Sequence, residues 1–235
     1  MFFTAMAIVI VSLFFVSYSL YDVFSERREI ESRIETMNNF VFFIEEDMER
    51  QVYITGFRSI FLMENQILET GNPVDADECL SELFFNGSLN GDEKELIIGA
   101  RLEDMDERLE EWGDKIHANV SLSNISIYFY QSEPWNVRTI LEARMIVEDK
   151  TDLVRWNKTI SVESSVPITD FEDPLYLLET NGAVTNQIRK TPYGFDNADN
   201  LSLHVDGRYY SASVEAPGFI DRLEGRNIEN ENGIE

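Results

Sequence analysis

The residues equipped for chemistry are few and scattered. The two histidines, His117 and His204, have no companion His or Cys at a spacing that would complete a metal set. Each reads as an ordinary surface residue, His117 at an element end and His204 in a strand. The sequence contains no G-x-S-x-G, H-E-x-x-H or C-x-x-C and no phosphate-cradling glycine loop. Asp196, Asp199 and Asn200 offer oxygens of the kind Ca²⁺ takes, but their spacing is not that of an EF-hand loop, and a solvated acidic turn is the plainer reading. Cys79 stands alone, which rules out an intrachain disulfide and suits a small buried hydrophobe. Carboxylates are too abundant for any pair to stand out as an acid/base couple. No catalytic residue, cofactor or metal is implied, and the chain reads as a non-enzyme.

The modification chemistry is denser. Asn-x-Ser/Thr acceptor triplets begin at Asn86, Asn119, Asn124, Asn157 and Asn200, all in the C-terminal two thirds. If used, they place that part outside a cell with N-glycosylation machinery, on exposed surface. Unmodified polar residues of turns and strands are the simpler alternative.

Charge narrows the partners. A formal net charge of −25 argues against nucleic acid, which requires basic clusters. It equally disfavours docking of the globular part on anionic lipid. The charge is displaced along the chain: residues 1–21, MFFTAMAIVIVSLFFVSYSLY, hold no Asp, Glu, Lys or Arg. As a helix rising about 1.5 Å per residue, this run matches the roughly 30 Å hydrocarbon thickness of a bilayer. A helix is the single-segment solution in lipid, because it satisfies its own backbone groups. The run has neither the basic n-region nor the small-residue cleavage site of a secretory signal.

The elements that carry these residues follow from periodicity. Ile30, Ile34, Met37, Val41, Ile44, Met48, Val52, Thr55, Ser59 and Leu62 recur at steps of three and four. No proline precedes Pro73, so one helix is expected from about residue 2 to about residue 69, with Gly56 or the charged collar from Glu26 to Glu35 as places where it could bend. An anchor followed by a separate coiled-coil helix is the alternative. Gly71-Asn72-Pro73 supplies the stop. Short helices are expected over Asp75–Phe85 and Asp92–His117. From Asn119 the period falls to two, predicting a three-strand antiparallel meander with one dry face that the long helix can cover. Pro174–Leu178 reads as a short buried strand, Asn181-Gly182 as a hairpin-type turn, and Leu201–Val205 with Tyr209–Val214 as a hairpin across Asp206-Gly207. The polar end, Arg226 to Glu235, reads as flexible; it stops abruptly, which suggests a longer protein. The expected fold class is α+β: a long N-terminal helix, apolar at its tip and amphipathic at its base, packed on a C-terminal antiparallel β-rich head with additional short helices. The expected organisation is an apolar transmembrane or filament-core helix at 1–24, its amphipathic continuation at 25–70, a globular head at 71–225 and a polar tail at 226–235.

The uncharged N-terminal helix opening with aromatics (MFFTAMAIVIVSLFF), continuing into an amphipathic half covered by a β-rich head, resembles the type IV pilins. More narrowly, it is similar to archaeal pilin-like proteins carrying a class III signal. The resemblance covers residues 1 to about 65, and the head only as an architecture. It implies removal of a basic leader, which would account for the missing n-region if Met1 is the processed terminus, and bundling of the apolar helices of many copies into a filament core. Phe2, Phe3, Ile8, Ile10, Leu13, Phe14 and Phe15 would then make inter-subunit contacts. The helix would sit in the membrane before assembly, with the head on the extracellular surface. Many pilins have Glu at the fifth mature position, where this chain has Ala5, so pairing of that carboxylate with a neighbour's N-terminus is not implied here. The rival expectation is a single-span cell-surface protein whose head binds or adheres while its anchor stays in lipid.

Overall fold

The computed structural model describes residues 2–151, 153–195 and 197–235, together with the side chains in these ranges other than those of Thr4, Ala5, Asp22, Val23 and Glu26. The dominant element is α1, Phe2–Thr70, a single helix of 69 residues and therefore about 100 Å long. It ends where expected: Gly71 turns left-handed at φ 67° and its N–H bonds the Ile67 carbonyl at 2.8 Å. The apolar stripe becomes buried only from Met37 onward, through Val41, Ile44, Met48, Val52, Ile60, Met63 and Ile67. Ile34, one turn earlier, is still largely exposed.

The stripe lies on a three-strand antiparallel sheet of β3 (Ala118–Glu133), β4 (Asn136–Asp149) and β5 (Arg155–Pro167), in that order. The alternation in β4 is the clearest: Val137, Thr139, Leu141, Ala143, Met145 and Val147 are all buried, while Arg138, Glu142, Arg144 and Glu148 point the other way. Gly56 explains how closely helix and sheet approach. A Cβ there would stand 2.0 Å from Thr139 Oγ1 and 3.2 Å from Val166 Cγ2. Its role is contact with β4 and β5, and α1 runs through it without a break.

α2 (Ala76–Asn86) starts at Asp75, whose carboxylate accepts from the Glu78 N–H at 2.9 Å, and buries Cys79, Leu80, Leu83 and Phe84. Asn90-Gly91, both at positive φ, turns a minimal hairpin between β1 (Ser88–Leu89) and β2 (Asp92–Glu93). The helix expected from Asp92 is shorter: after a 3₁₀ turn at Glu95–Ile97 and a left-handed Gly99, α3 spans Leu102–Lys115. Polar side chains of α1 tether the connection, with Gln51 donating to the Gly99 carbonyl and Thr55 to that of Ala100.

The C-terminal third departs most from expectation. Pro174–Leu178 is the body of a helix, α4 (Pro174–Thr180): the Asp173 side chain caps the Leu175 N–H and Pro174 occupies the first turn, a start signal that outweighs the apolar run. Asn181 is the left-handed residue closing α4, and no hairpin turns there. Leu201–Val205 belongs to α5 (Ala198–Asp206), capped by Asn197, so the expected second hairpin is replaced by a helix and two isolated bridges, Lys190 with Tyr210 and Ala212 with Ile234. α6 (Phe219–Leu223) follows. The 226–235 tail is fastened down: Ser211 and Glu235 exchange backbone hydrogen bonds at 2.7 and 2.9 Å, and Ile234 is fully buried.

Candidate functional site

Among the described residues, the tip of α1 is a surface that the fold leaves without a partner. Successive residues of a helix point about 100° apart, so an apolar run covers every face. Phe2, Phe3, Ile8, Ile10, Leu13, Phe14 and Phe15 are all exposed, from 45% at Ile10 to 86% at Phe3. The Ser12 hydroxyl is turned inward, donating to the Ile8 carbonyl at 2.8 Å, one turn back. A hydroxyl bonded in this way presents no free donor to an apolar surrounding. Among the described residues no helix is long and apolar enough to cross a membrane. The side chain of Ala5, at the position where pilins have Glu, lies outside the described residues, as does the processed-terminus reading of Met1.

The base of the tip is fixed by a charged joint. Arg33 Nε donates to Asp149 Oδ1 at 2.9 Å, and its Nη2 reaches the carbonyl of His117 at 3.0 Å. Asp149 ends β4, so this pair ties the collar of α1 to the far corner of the sheet. Hydrogen bonds from Thr151 and from Arg33 hold the Asp149 carboxyl below its ordinary range. Of the collar, Arg27, Arg28, Glu29, Glu31 and Glu35 are exposed, and the side chain of Glu26 is outside the described residues.

The chain matches no known protein family, no curated protein and no solved structure. The rest of the functional reading therefore depends on the residues themselves.

The acceptor asparagines divide by place. Asn86 closes α2 and is exposed. Asn119 is exposed at the start of β3, opposite Glu148. Asn124 is exposed at an irregularity of β3, in the left-handed region at φ 52°. Asn157 is exposed on β5 and accepts from Arg144 Nε at 2.9 Å. Asn200, half-buried, donates its backbone N–H to Asn197 Oδ1 in the first turn of α5. The β3–β4–β5 register puts Asn119, Asn157 and the hydroxyls Ser121, Ser126 and Thr159 on one outward face, which only the strand topology reveals.

The other residues equipped for chemistry are dispersed over the fold. His117 holds a left-handed turn at φ 58°, and its carbonyl is shared by Arg33 and the Lys150 N–H. His204 lies in α5, against the ring of Phe195, and not in a strand. Cys79 is buried, and burial followed by the charges of Glu82, Asp75 and Glu78 pushes its thiol up to about 11, which makes it a poor nucleophile. In the calcium reading, Asp199 sits on α5 and Asp196 lies outside the described residues. Among the described residues no group of three His, Cys, Asp or Glu side chains could hold a metal.

Sequence reasoning missed one buried polar network. Asp173, wholly buried, accepts from the Tyr210 hydroxyl at 2.7 Å and from Arg222 Nη1 at 2.5 Å. Arg222 also donates to the carbonyls of Pro217 and Ile234. Nearby, Glu64 of α1 is buried, and desolvation, assisted by the charges of Glu172 and Asp173, lifts its carboxyl to about 9. Asp173, Tyr210 and Arg222, far apart in sequence, make this knot, and the Arg222 bond to the Ile234 carbonyl helps to hold the tail.

Proposed function

We propose that this chain is a structural subunit of an extracellular type IV pilus-like filament, assembled through the apolar tip of α1. The observation that carries the reading is the contrast along one helix: from Met37 on, one face is buried under a sheet, whereas the described side chains between Phe2 and Phe15 are exposed on every face. A tip of this composition is stable only in an apolar medium or among others like it. In this reading the tip is lodged in the cell membrane first and among sister helices afterwards, so transfer between the two never exposes it to water. The heads form an acidic exterior, glycosylated at some of Asn86, Asn119, Asn124, Asn157 and Asn200. Neither a cofactor nor a catalytic group is called for.

The test is electron microscopy of the full chain after detergent removal, with the mass of the N-terminal fragment measured on native material. Filaments with regular subunit spacing and a trimmed N-terminus are the expected result. Monomers that persist only in detergent, with no ordered polymer on the cell surface, would refute it in favour of a single-span surface protein.

A further inference from the structure

The sheet has two edges, and the fold treats them differently. At the β3 edge, α2 and α3 pack against the strand, and Asp77 of α2 accepts from the Phe129 N–H at 2.8 Å. At the β5 edge, no hydrogen bond from the described residues reaches the backbone except from β4. Long bare edges of this kind are hazards that proteins usually blunt, and β5 runs for 13 residues. Beside it lies a groove of about 740 Å³, lined by Lys158–Glu163 of β5 and by Phe42, Glu45, Glu46 and Glu49 of α1.

We infer that this groove takes an extended, basic segment of another polypeptide, added as a fourth strand on β5. The length of β5 facing the groove, Lys158 to Glu163, measures about 20 Å at strand rise, room for six or seven extended residues. Alternate residues of β5 aim their N–H and C=O groups outward, which provides main-chain affinity for any sequence. Specificity comes from the wall. Glu45 is paired with Lys158 and Glu163 with Arg138, whereas Glu46 and Glu49 have no ion pair among the described residues. With the exposed ring of Phe42 beside them, these carboxylates select Lys or Arg at alternate, inward-facing positions.

A second copy of this chain is a poor occupant. Pairing β5 with β5 would bring the α1 carboxylates and Glu163 of both copies together. Nor does the sequence contain two Lys or Arg residues spaced two apart, although it has 19 of them. The proposal is independent of how the tip is used, so each can fail alone.

The test uses the full chain in nonionic detergent and an acetylated seven-residue peptide of alternating Lys and Val, with binding read by fluorescence anisotropy. Methylating alternate peptide nitrogens in two registers separates strand addition from simple charge attraction. One register should lose about tenfold or more in affinity, because it blocks hydrogen bonds to β5, while the other, facing away, binds nearly as before. Glu46→Gln with Glu49→Gln, both at exposed positions, should weaken binding about fivefold, as expected for two exposed charge pairs. Amide exchange across Arg155–Pro167 should slow on adding the peptide. Equal binding by both methylated registers, equal binding by a Glu/Val peptide, or no binding at all would overturn the proposal. So would β5 amides already protected without peptide in proportion to protein concentration, since a second copy would then occupy the edge.

Discussion

A lysine at position 10 puts the proposed assembly surface under direct strain. Ile10 is 45% exposed in the single chain, and full burial of such a side chain is worth about 2–3 kcal/mol. The part still open to a neighbour therefore contributes about 1 kcal/mol per copy. Ile10→Lys forfeits that and adds the desolvation of an ammonium, which costs several kcal/mol in real proteins even after relaxation. A combined penalty of about 4 kcal/mol per copy raises the concentration needed for polymerisation by about a thousandfold. Phe14→Ala gives the same comparison without a charge: its ring is 74% exposed, and losing that burial, about 2 kcal/mol, corresponds to about thirtyfold. Glu31→Lys, on the exposed collar, serves as the control for a new positive charge. The assay is pelleting across a concentration series after detergent removal, with negative-stain images of the pellets. Equal polymerisation by I10K, F14A and the unmodified chain would refute the reasoning, because the tip would then not be buried between copies.

Three further outcomes follow from the head. Gly56→Ala forces a methyl onto Thr139; the overpacking costs about 1–3 kcal/mol against about 1 kcal/mol of helix propensity gained. G56A should therefore lower the thermal midpoint, and Thr139→Ala in the same chain should restore it. Ile234→Ala empties a fully buried site and should cost about 3 kcal/mol in denaturant unfolding, with faster proteolysis of the tail; a loose tail would show no change. For Glu64 the folded carboxyl stands at about 9 and the unfolded one near its ordinary value, so between the two the native state holds a proton that the unfolded state has released. Stability from this group falls as pH rises across that window, by up to about 1.4 kcal/mol per pH unit. Glu64→Gln should remove the slope and gain on the unmodified chain as the pH is raised from 5 to 8, measured by denaturant midpoints; parallel curves would count against the assignment.

What could be read in advance was whatever depends on near neighbours in the chain. α1 was legible because its period runs unbroken and no proline interrupts it before Pro73, and the sheet because β4 alternates strictly from Val137 to Val147. The tip residues were legible for the same reason, being defined by the absence of charge. The C-terminal third was not. Over runs as short as Pro174–Leu178 an apolar strand and a buried helix share the same pattern, and the decisive signals, Asp173 and Asn197 as caps, are single residues. The tail reads as flexible in sequence because its anchors, Arg222 to Asp173 and to the Ile234 carbonyl, join positions far apart in the chain. Gly56 presented as a weak point in a helix, because only the packed sheet reveals what a Cβ would strike. The β5 groove is a consequence of strand order and had no local signature.

The distribution of charge gives the architecture its physical sense. The net −25 lies wholly beyond residues 1–21, so attraction and repulsion occupy different lengths of the same rod. In the proposed filament the tips meet without any like-charge term, while the heads repel only where their surfaces approach within a Debye length, about 8 Å at physiological ionic strength. For that separation to persist, the head must not slide or swing on the helix. The close approach at Gly56 and the Arg33–Asp149 joint prevent this at two points along α1, one deep in the sheet and one at its corner. No flexible linker sets the distance between apolar tip and acidic head: the helix carries both, and the packing of its Met37–Ile67 stripe fixes where one ends and the other begins.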